Sequence, residues 1–201
     1  MAIQFQYNKT SLQALEKNLK MRVRALSTIK NKESALRMEV KKAKDEIKKL
    51  DVEIERRIAS YDKMLALWGE FDTSLLSVED VRMSVKKIAG VRIPMLDEVV
   101  YHVKPYSLFN SPKWFADGLA QLKDLAQVGI EQEFCLHKLN LLEYARKKTT
   151  QKVNLFEKVQ IPGYEKAIIK IKRFMEDEEN LSKSSQKIVK SRQQKMKEEG
   201  L

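Results

Sequence analysis

The sequence between residues 12 and 68, LQALEKNLKMRVRALSTIKNKESALRMEVKKAKDEIKKLDVEIERRIASYDKMLALW, decides the fold. Its apolar side chains recur at alternating steps of three and four residues. We call this row the seam, and its positions are Leu12, Leu15, Leu19, Arg22, Leu26, Ile29, Glu33, Leu36, Val40, Ala43, Ile47, Leu50, Ile54, Arg57, Tyr61, Met64 and Trp68. A mean step of 3.5 residues keeps one face on a partner helix only if the two helices supercoil. The sequence therefore predicts a coiled-coil helix from about residue 10 to Trp68.

The composition favours long helices and an acidic partner. The 201 residues include only six Gly and four Pro, and 39 basic residues exceed 28 acidic ones by 11. Such a charge suits nucleic acid, an anionic membrane surface or an acidic protein. We expect a cytosolic protein, because neither a cleavable leader nor a membrane span is recognisable and Cys135 has no second cysteine to pair with.

The heptads stop between residues 69 and 112, where β-branched residues, aromatics and turn formers take over. We predict a small head there. It begins with a short helix, capped by Ser77 and ended by Gly90, with an apolar face of Val78, Val81, Val85 and Ile88. A short β-hairpin with its turn around Asp97 follows, and its strands are Val91–Ile93 and Val99–Val103.

Ser111-Pro112 then starts a second long helix, which continues to about Glu198 with a kink at Pro162. Its looser seam is Leu122, Leu125, Leu136, Leu139, Val153, Gln160, Tyr164, Ala167, Ile171, Phe174, Leu181 and Ile188. The predicted fold is all-α dominated: a long antiparallel two-helix coiled-coil hairpin with a small head containing a short helix and a β-hairpin. Its three segments are residues 1–68, 69–112 and 113–201.

We predict that the two helices pair antiparallel, with the numbers of two opposed residues adding up to about 200. This register gives the charged residues of the seam partners of opposite charge. It places Arg22 opposite Glu178 and Arg57 opposite Glu143, and a charged residue in a seam is costly without such a partner. The same register sets Leu26 by Phe174, Tyr61 by Leu139 and Met64 by Leu136.

No catalytic constellation is recognisable in the sequence. The histidines His102 and His137 lack the partners of a metal site, and Cys135 lies two residues from His137, on another helix face. The acidic run at 176–179 would fan around a helix, and no glycine-rich phosphate loop is present. We expect neither an enzyme nor a cofactor.

Two alternatives to a mechanical role follow from the residues alone. A basic coiled-coil adaptor could bind nucleic acid or scaffold other proteins, with Arg146-Lys147-Lys148 and Lys152 as its densest patch. Against nucleic acid, acids are mixed among the bases, and the aromatics lie on the seam or in the head. A holdase-like chaperone with an apolar tip is the other alternative.

Five stretches resemble the D subunit of the V-type and archaeal A-type rotary ATPases. They are Asn8–Thr10, Leu26–Leu36, Gly90–Pro94, Thr149–Glu157 and Ile161–Pro162, and they occur in the order of that family. The segment Thr149–Glu157 is the most specific, since it is similar to the family's Thr-x-Arg-Arg-Val-Asn-Ala-Leu-Glu pattern.

The resemblance implies a noncatalytic central-stalk rotor subunit. It implies that the paired ends, about residues 1–36 and 164–201, insert into a hexamer of A and B subunits, which bind and hydrolyse ATP. The head would lie toward the membrane, where the F subunit and a funnel-shaped subunit link the stalk to the proteolipid ring. The chain would be cytoplasmic and peripheral, with no membrane insertion and no nucleic acid. Contacts with the ring are expected from Lys20, Arg24, Lys183, Lys187, Lys190 and Arg192.

Overall fold

A computed structural model describes residues 3–61, 69, 71–107 and 111–198. Its elements in chain order are helix α1 (Lys9–Tyr61), a 3₁₀ turn (Thr73–Leu75), strands β1 (Leu76–Ile88) and β2 (Val91–Val103), helix α2 (Phe115–Asn154), a π-helical segment (Leu155–Gln160) and helix α3 (Ile161–Glu198). The predicted fold class is confirmed, because the chain is mostly helical, with a long first helix and a two-stranded antiparallel sheet.

The seam of α1 is confirmed wherever the structure describes it. Every seam position from Leu12 to Tyr61 is buried or half-buried, and the side chains of Leu36 and Ala43 have no exposed surface. The last two predicted positions, Met64 and Trp68, lie outside the described residues.

The chain divides into two compact units, and each is described by itself. The terminal unit consists of Met1–Asn31 and Thr149–Leu201, and the central unit consists of Lys32–Lys148. Helix α1 contributes residues to both units, as does α2.

The head contains one long β-hairpin in place of the predicted short helix followed by a short hairpin. The segment from Ser77 to Ile88 is strand, and Leu76 pairs with Val103 at one end while Ile88 pairs with Val91 at the other. The two-residue loop is Ala89-Gly90, and both residues have positive φ, 48° and 80°. This conformation matches the twist of the flanking strands. Gly90 therefore closes a hairpin, and its prediction as a helix end was wrong.

Asp97 lies inside β2, where the sequence analysis had placed a turn. Glu98 pairs with Arg82 and Leu96 with Met83, so Asp97 is the extra residue of a β-bulge. Ser84 Oγ donates to Asp97 Oδ1 at 2.8 Å and holds the bulge from the neighbouring strand. The predicted turn around Asp97 is therefore wrong: the bulge bends the strand and does not reverse it.

The hairpin packs on the helices of the central unit through a buried cluster. Ile93 of β2 has no exposed surface and lies among apolar side chains of both helices: Leu36, Val40, Ala43 and Leu142. A second cluster of Phe71, Leu75, Phe115 and Leu119 closes the other end of the hairpin. The rings of Phe71 and Phe115 lie 5.2 Å apart in it.

The second long helix begins and packs differently from its prediction. It starts at Phe115, three residues after Pro112, whose carbonyl accepts from the Phe115 amide at 3.1 Å. Four predicted seam positions are exposed: Leu136, Phe174, Leu181 and Ile188. Buried positions that were not predicted are Val128, Leu142, Thr149 and Ile168.

The helical path continues past Pro162 through a widened segment. The Ile161 amide donates to the Phe156 carbonyl, five residues back, at the end of the π-helical segment. Pro162 has no N–H, and in a regular α-helix its ring would clash with the carbonyl four residues earlier. A π-helical turn is one of the ways in which a helix accommodates such a conflict.

Two glycines give opposite predictions for the same substitution. Gly90→Ala should lower the free energy of unfolding by about 1–2 kcal/mol, because an L-residue is disfavoured at positive φ. Gly129→Ala should raise it by about 0.5–1 kcal/mol, since Gly129 lies inside α2 and a methyl group there meets nothing within 4 Å. Urea denaturation followed by circular dichroism measures both changes. Equal shifts of the same sign would contradict the assigned hairpin loop.

Candidate functional site

The candidate site is the surface of the terminal unit, because the predicted contact residues lie among its described residues. The described residues of the chain contain no group of three His, Cys, Asp or Glu side chains able to hold a metal ion. Burial raises the pKa of the Cys135 thiol, which keeps it protonated at neutral pH. Among the described helices, none combines the length and the hydropathy that a membrane-spanning helix requires.

In the terminal unit α1 and α3 run antiparallel around one apolar cluster. Its buried members are Leu15 of α1 and Ala167, Ile168 and Ile171 of α3. Half-buried side chains that pack against it include Leu12, Leu19, Tyr164 and Met175. The seam of α1 and the face of α3 thus bury each other, as the sequence predicted for these helices.

An extended segment at the N-terminus, residues 3–8, adds a third layer that was not predicted. Ile3 and Phe5 pack on the same cluster, and the ring of Tyr7 lies 4.8 Å from that of Phe174. Ile3 Cδ1 lies only 3.1 Å from the point where a Cβ on Gly163 would be. Gly163 therefore provides the space that seats Ile3. The alternation Ile3-Gln4-Phe5-Gln6-Tyr7 was the available signal, because a period of two is typical of an extended segment with one buried face.

Arg22 is held by an amide and an aromatic ring. Its Nε donates to Gln160 Oε1 at 3.0 Å, and its guanidinium carbon lies 4.4 Å from the centroid of the Tyr164 ring. These contacts satisfy a charged seam position without a carboxylate, since the face of an aromatic ring attracts a cation.

Two ion pairs tie the same helices together on either side of Arg22. Lys30 Nζ donates to Glu157 of the π-helical segment at 2.8 Å, and Lys172 Nζ lies 3.1 Å from Glu16. Both pairs are about half-exposed, so each contributes little stability by itself. They show the stagger that the two helices adopt, with Glu16 near Lys172 and Lys30 near Glu157.

The predicted seam ion pairs Arg22–Glu178 and Arg57–Glu143 are corrected by these contacts. Arg57 pairs with Glu53 at 3.0 Å and donates to the Asp124 carbonyl. Glu143 instead accepts from Lys44 at 2.7 Å, and Glu178 lies on an exposed part of α3. The observed register differs from the predicted one by about two heptads. The two arginines could not select the register, because both find other partners in the observed one and a heptad repeat makes neighbouring registers similar.

The C-terminal part of α3 has no apolar cover within the described chain. All residues from 176 to 198 are exposed, including Leu181, Ile188 and Met196. Between residues 183 and 198 there are six basic side chains and one acidic one. Four of them are predicted ring contacts: Lys183, Lys187, Lys190 and Arg192. All four are exposed, and Lys183 pairs with Glu179 at 2.7 Å.

The two predicted ring contacts on α1 are exposed as well. Lys20 and Arg24 line a shallow groove on the surface of α1 together with Leu19 and Val23. Val23 is half-exposed. This part of the terminal unit therefore presents basic side chains beside apolar surface.

A family model for the ATP synthase D subunit matches residues 11–191. The chain belongs to the ATP synthase D-subunit family. The match begins within α1 and ends within α3, so it includes residues of both units and of all three helices.

Curated members of the D-subunit family agree over almost the full length. A V-type ATP synthase D subunit from Borreliella burgdorferi is 31% identical over 186 residues, covering 91% of this chain and 92% of its own. A protein of the same name from Chlamydia trachomatis serovar L2 is 30% identical over 203 residues, covering 98% of this chain and all of its own.

Arg22→Ala tests the cross-helix contact of this D-subunit family member. We expect the free energy of unfolding to fall by about 1–2 kcal/mol, because a hydrogen bond and a cation–π contact are lost together. Arg24→Ala removes a nearby exposed arginine of the same helix and should change stability by less than about 0.5 kcal/mol. Equal losses in the two variants, measured by urea denaturation, would show that the contact with Gln160 and Tyr164 has no energetic role.

Acid titration tests the pair between Lys44 and Glu143. The hydrogen bond from Lys44 holds the pKa of Glu143 below its ordinary value of 4.5. The pair therefore stabilises the fold at neutral pH, and its contribution is lost as the pH falls below 4.5 through the lowered pKa. We expect wild type to be more stable than Lys44→Gln at pH 7 and equally stable near pH 3. Lys41→Gln is the control, and a pH-independent gap for Lys44→Gln would contradict the pairing.

Proposed function

We propose that this chain is a noncatalytic central-stalk rotor subunit of a V/A-type ATPase. It would transmit torque between an ATP-hydrolysing hexamer of A and B subunits and the membrane ring that translocates ions. The observation that carries the proposal is membership of the D-subunit family across nearly the whole chain. The relatives are named as subunits of an ATP synthase, and a subunit of a motor contributes by coupling its parts.

The packing of the terminal unit supports a mechanical role. A shaft under torque must resist sliding and twisting between its helices. The buried cluster of Leu15 and Ile171 resists separation, while the contacts of Arg22 with Gln160 and Tyr164 oppose sliding. Side chains that interdigitate along a seam make two paired helices stiffer than one alone.

The surface of the terminal unit supports a location inside the catalytic ring. The proposed contacts are exposed basic side chains: Lys20, Arg24, Lys183, Lys187, Lys190 and Arg192. Exposed charges make soft contacts that salt screens, and such contacts allow a rotor to slide where a large apolar interface would hold it. A shaft without threefold symmetry would bias each of three catalytic interfaces differently, which links its angle to their conformation.

The proposed assembly places the chain on the cytoplasmic side of a membrane as a peripheral component. Its partners would be the A and B subunits, the F subunit and the funnel-shaped subunit that joins the stalk to the proteolipid ring. The ends of the chain, about residues 1–36 and 164–201, would enter the ring. The head would lie toward the membrane, and the chain would contact neither nucleotide nor nucleic acid.

Isolation of the native complex tests this proposal. The full chain carrying an affinity tag is expressed in its source cells, and detergent-solubilised membranes are passed over the affinity resin. We expect stoichiometric A, B and F subunits together with ATP hydrolysis. Recovery of nucleic acid that salt releases steeply, without those subunits, would overturn the proposal in favour of the adaptor.

Removal of residues 185–201 tests which end of the chain meets the catalytic ring. The deletion removes no buried side chain among the described residues, so the terminal unit should fold. We expect a lower ratio of ATP-driven ion transport to ATP hydrolysis, or loss of the A and B subunits, with the F subunit retained. Loss of the F subunit with the A and B subunits retained would contradict the proposed placement of the ends.

A further inference from the structure

One flank of α1 in the central unit carries a row of four basic side chains, Arg37, Lys41, Lys44 and Lys48. We call it the basic row. Its members are separated by four, three and four residues, the same stagger as the seam, so they share one helix face. All four are exposed. At about 1.5 Å per residue the row is roughly 16 Å long.

The opposite flank of the same helix carries a row of acidic side chains, two of which pair with Lys42 and Arg56 of that flank. Glu39, Glu46 and Glu53 recur there at intervals of seven residues. Glu46 lines a cavity with Pro94 and Leu96 of β2, so this acidic flank is the one beside the hairpin. The basic row therefore lies on the side of α1 that the hairpin leaves open. Solubility is served by charges of both signs interspersed over the surface, so it does not call for a row of one sign on one flank.

Internal ion pairs neutralise only half of the basic row. Arg37 pairs with Glu33 at 3.0 Å and Lys44 with Glu143 at 2.7 Å. Lys41 and Lys48 have no carboxylate partner in the part of the chain that the structure describes. Two ammonium groups seven residues apart are thus available to an external partner.

We propose that the basic row binds an acidic α-helix of a partner protein. A helix with carboxylates at steps of three and four residues matches the spacing of Lys41 and Lys48. Glu143 and Leu136, seven residues apart on one face of α2, border the row through the contact of Glu143 with Lys44. Leu136 is 36% exposed and offers apolar contact to a helix. Only two charges of the basic row are unpaired, too few for the several phosphate contacts on which nucleic-acid binding depends.

The inference goes beyond the proposed function, because the proposed ring contacts lie in the terminal unit. Zero-length carbodiimide crosslinking of the native complex tests it, since this reagent joins a lysine to a carboxylate only where the two groups touch. The matched control is internal: Lys49 is an exposed lysine next to Lys48, on another face of the same helix. Lys42 is left out of the comparison because it pairs with Glu39 at 2.9 Å.

We expect amide links from Lys41 or Lys48 to Asp or Glu of another polypeptide, at carboxylates spaced by three or four residues. Their yield, measured by mass spectrometry, should exceed that from Lys49 by about tenfold. Equal yields, links confined to this chain, or linkage to nucleic acid or lipid would overturn the inference. The result is read on these three lysines, so it is independent of whether the complex proves to be a rotary ATPase.

A pair of charge-reversal variants provides a second measurement. Lys48→Glu should increase the fraction of the crosslinked partner released at about 150 mM salt by about tenfold relative to Lys49→Glu. Both variants change the net charge equally and alter only exposed side chains. Equal release from the two variants would contradict the basic row as the binding surface.

Discussion

Burial of the seam of α1 is the constraint on which the rest of the structure depends. One helix supplies apolar side chains at a mean step of 3.5 residues, and different partners cover them along its length. In the terminal unit α3 covers Leu15, while in the central unit α2 and the hairpin cover Leu36, Val40 and Ala43. Because each partner must present a complementary face to the same stripe, the seam fixes where the hairpin tip, α2 and α3 contact α1.

The sequence predicted the seam at every position that the structure describes but misread the head, for an identifiable reason. Val78, Val81, Val85 and Ile88 are spaced as on a helix face, and Gly90 suits a helix end. In the strand, Val78 and Val85 are exposed, and a register shift between Val78 and Asp80 breaks the alternation that would have revealed a strand. A glycine at positive φ serves a helix end and a two-residue hairpin loop equally well, so local pattern could not decide between them.

The exposed residues of the candidate surface were predicted from the sequence. The contacts between the helices beneath them were not. Periodicity states which side of a helix is buried, but it is nearly unchanged by a shift of seven residues in the partner. The register depends on contacts that pairing of opposite charges does not predict. These are the Tyr164 ring against Arg22, and Ile93 of the hairpin against Leu36 and Leu142. Gly163, which leaves room for Ile3, is another such contact, because it depends on space and not on charge.

The N-terminal segment packs along the first part of α3, and α3 continues beyond the last residue that this segment contacts. Helix α1 begins only at Lys9, and residues 3–8 return along α3 between Gly163 and Phe174. No part of the described chain remains to cover residues 176–198, although Phe174, Leu181 and Ile188 continue one face at intervals of seven. A single helix of this length is only marginally stable in water unless its apolar face is buried. The apolar face of α3 beyond the cluster is therefore exposed to solvent in the described chain, and the proposed insertion into a ring would bury it.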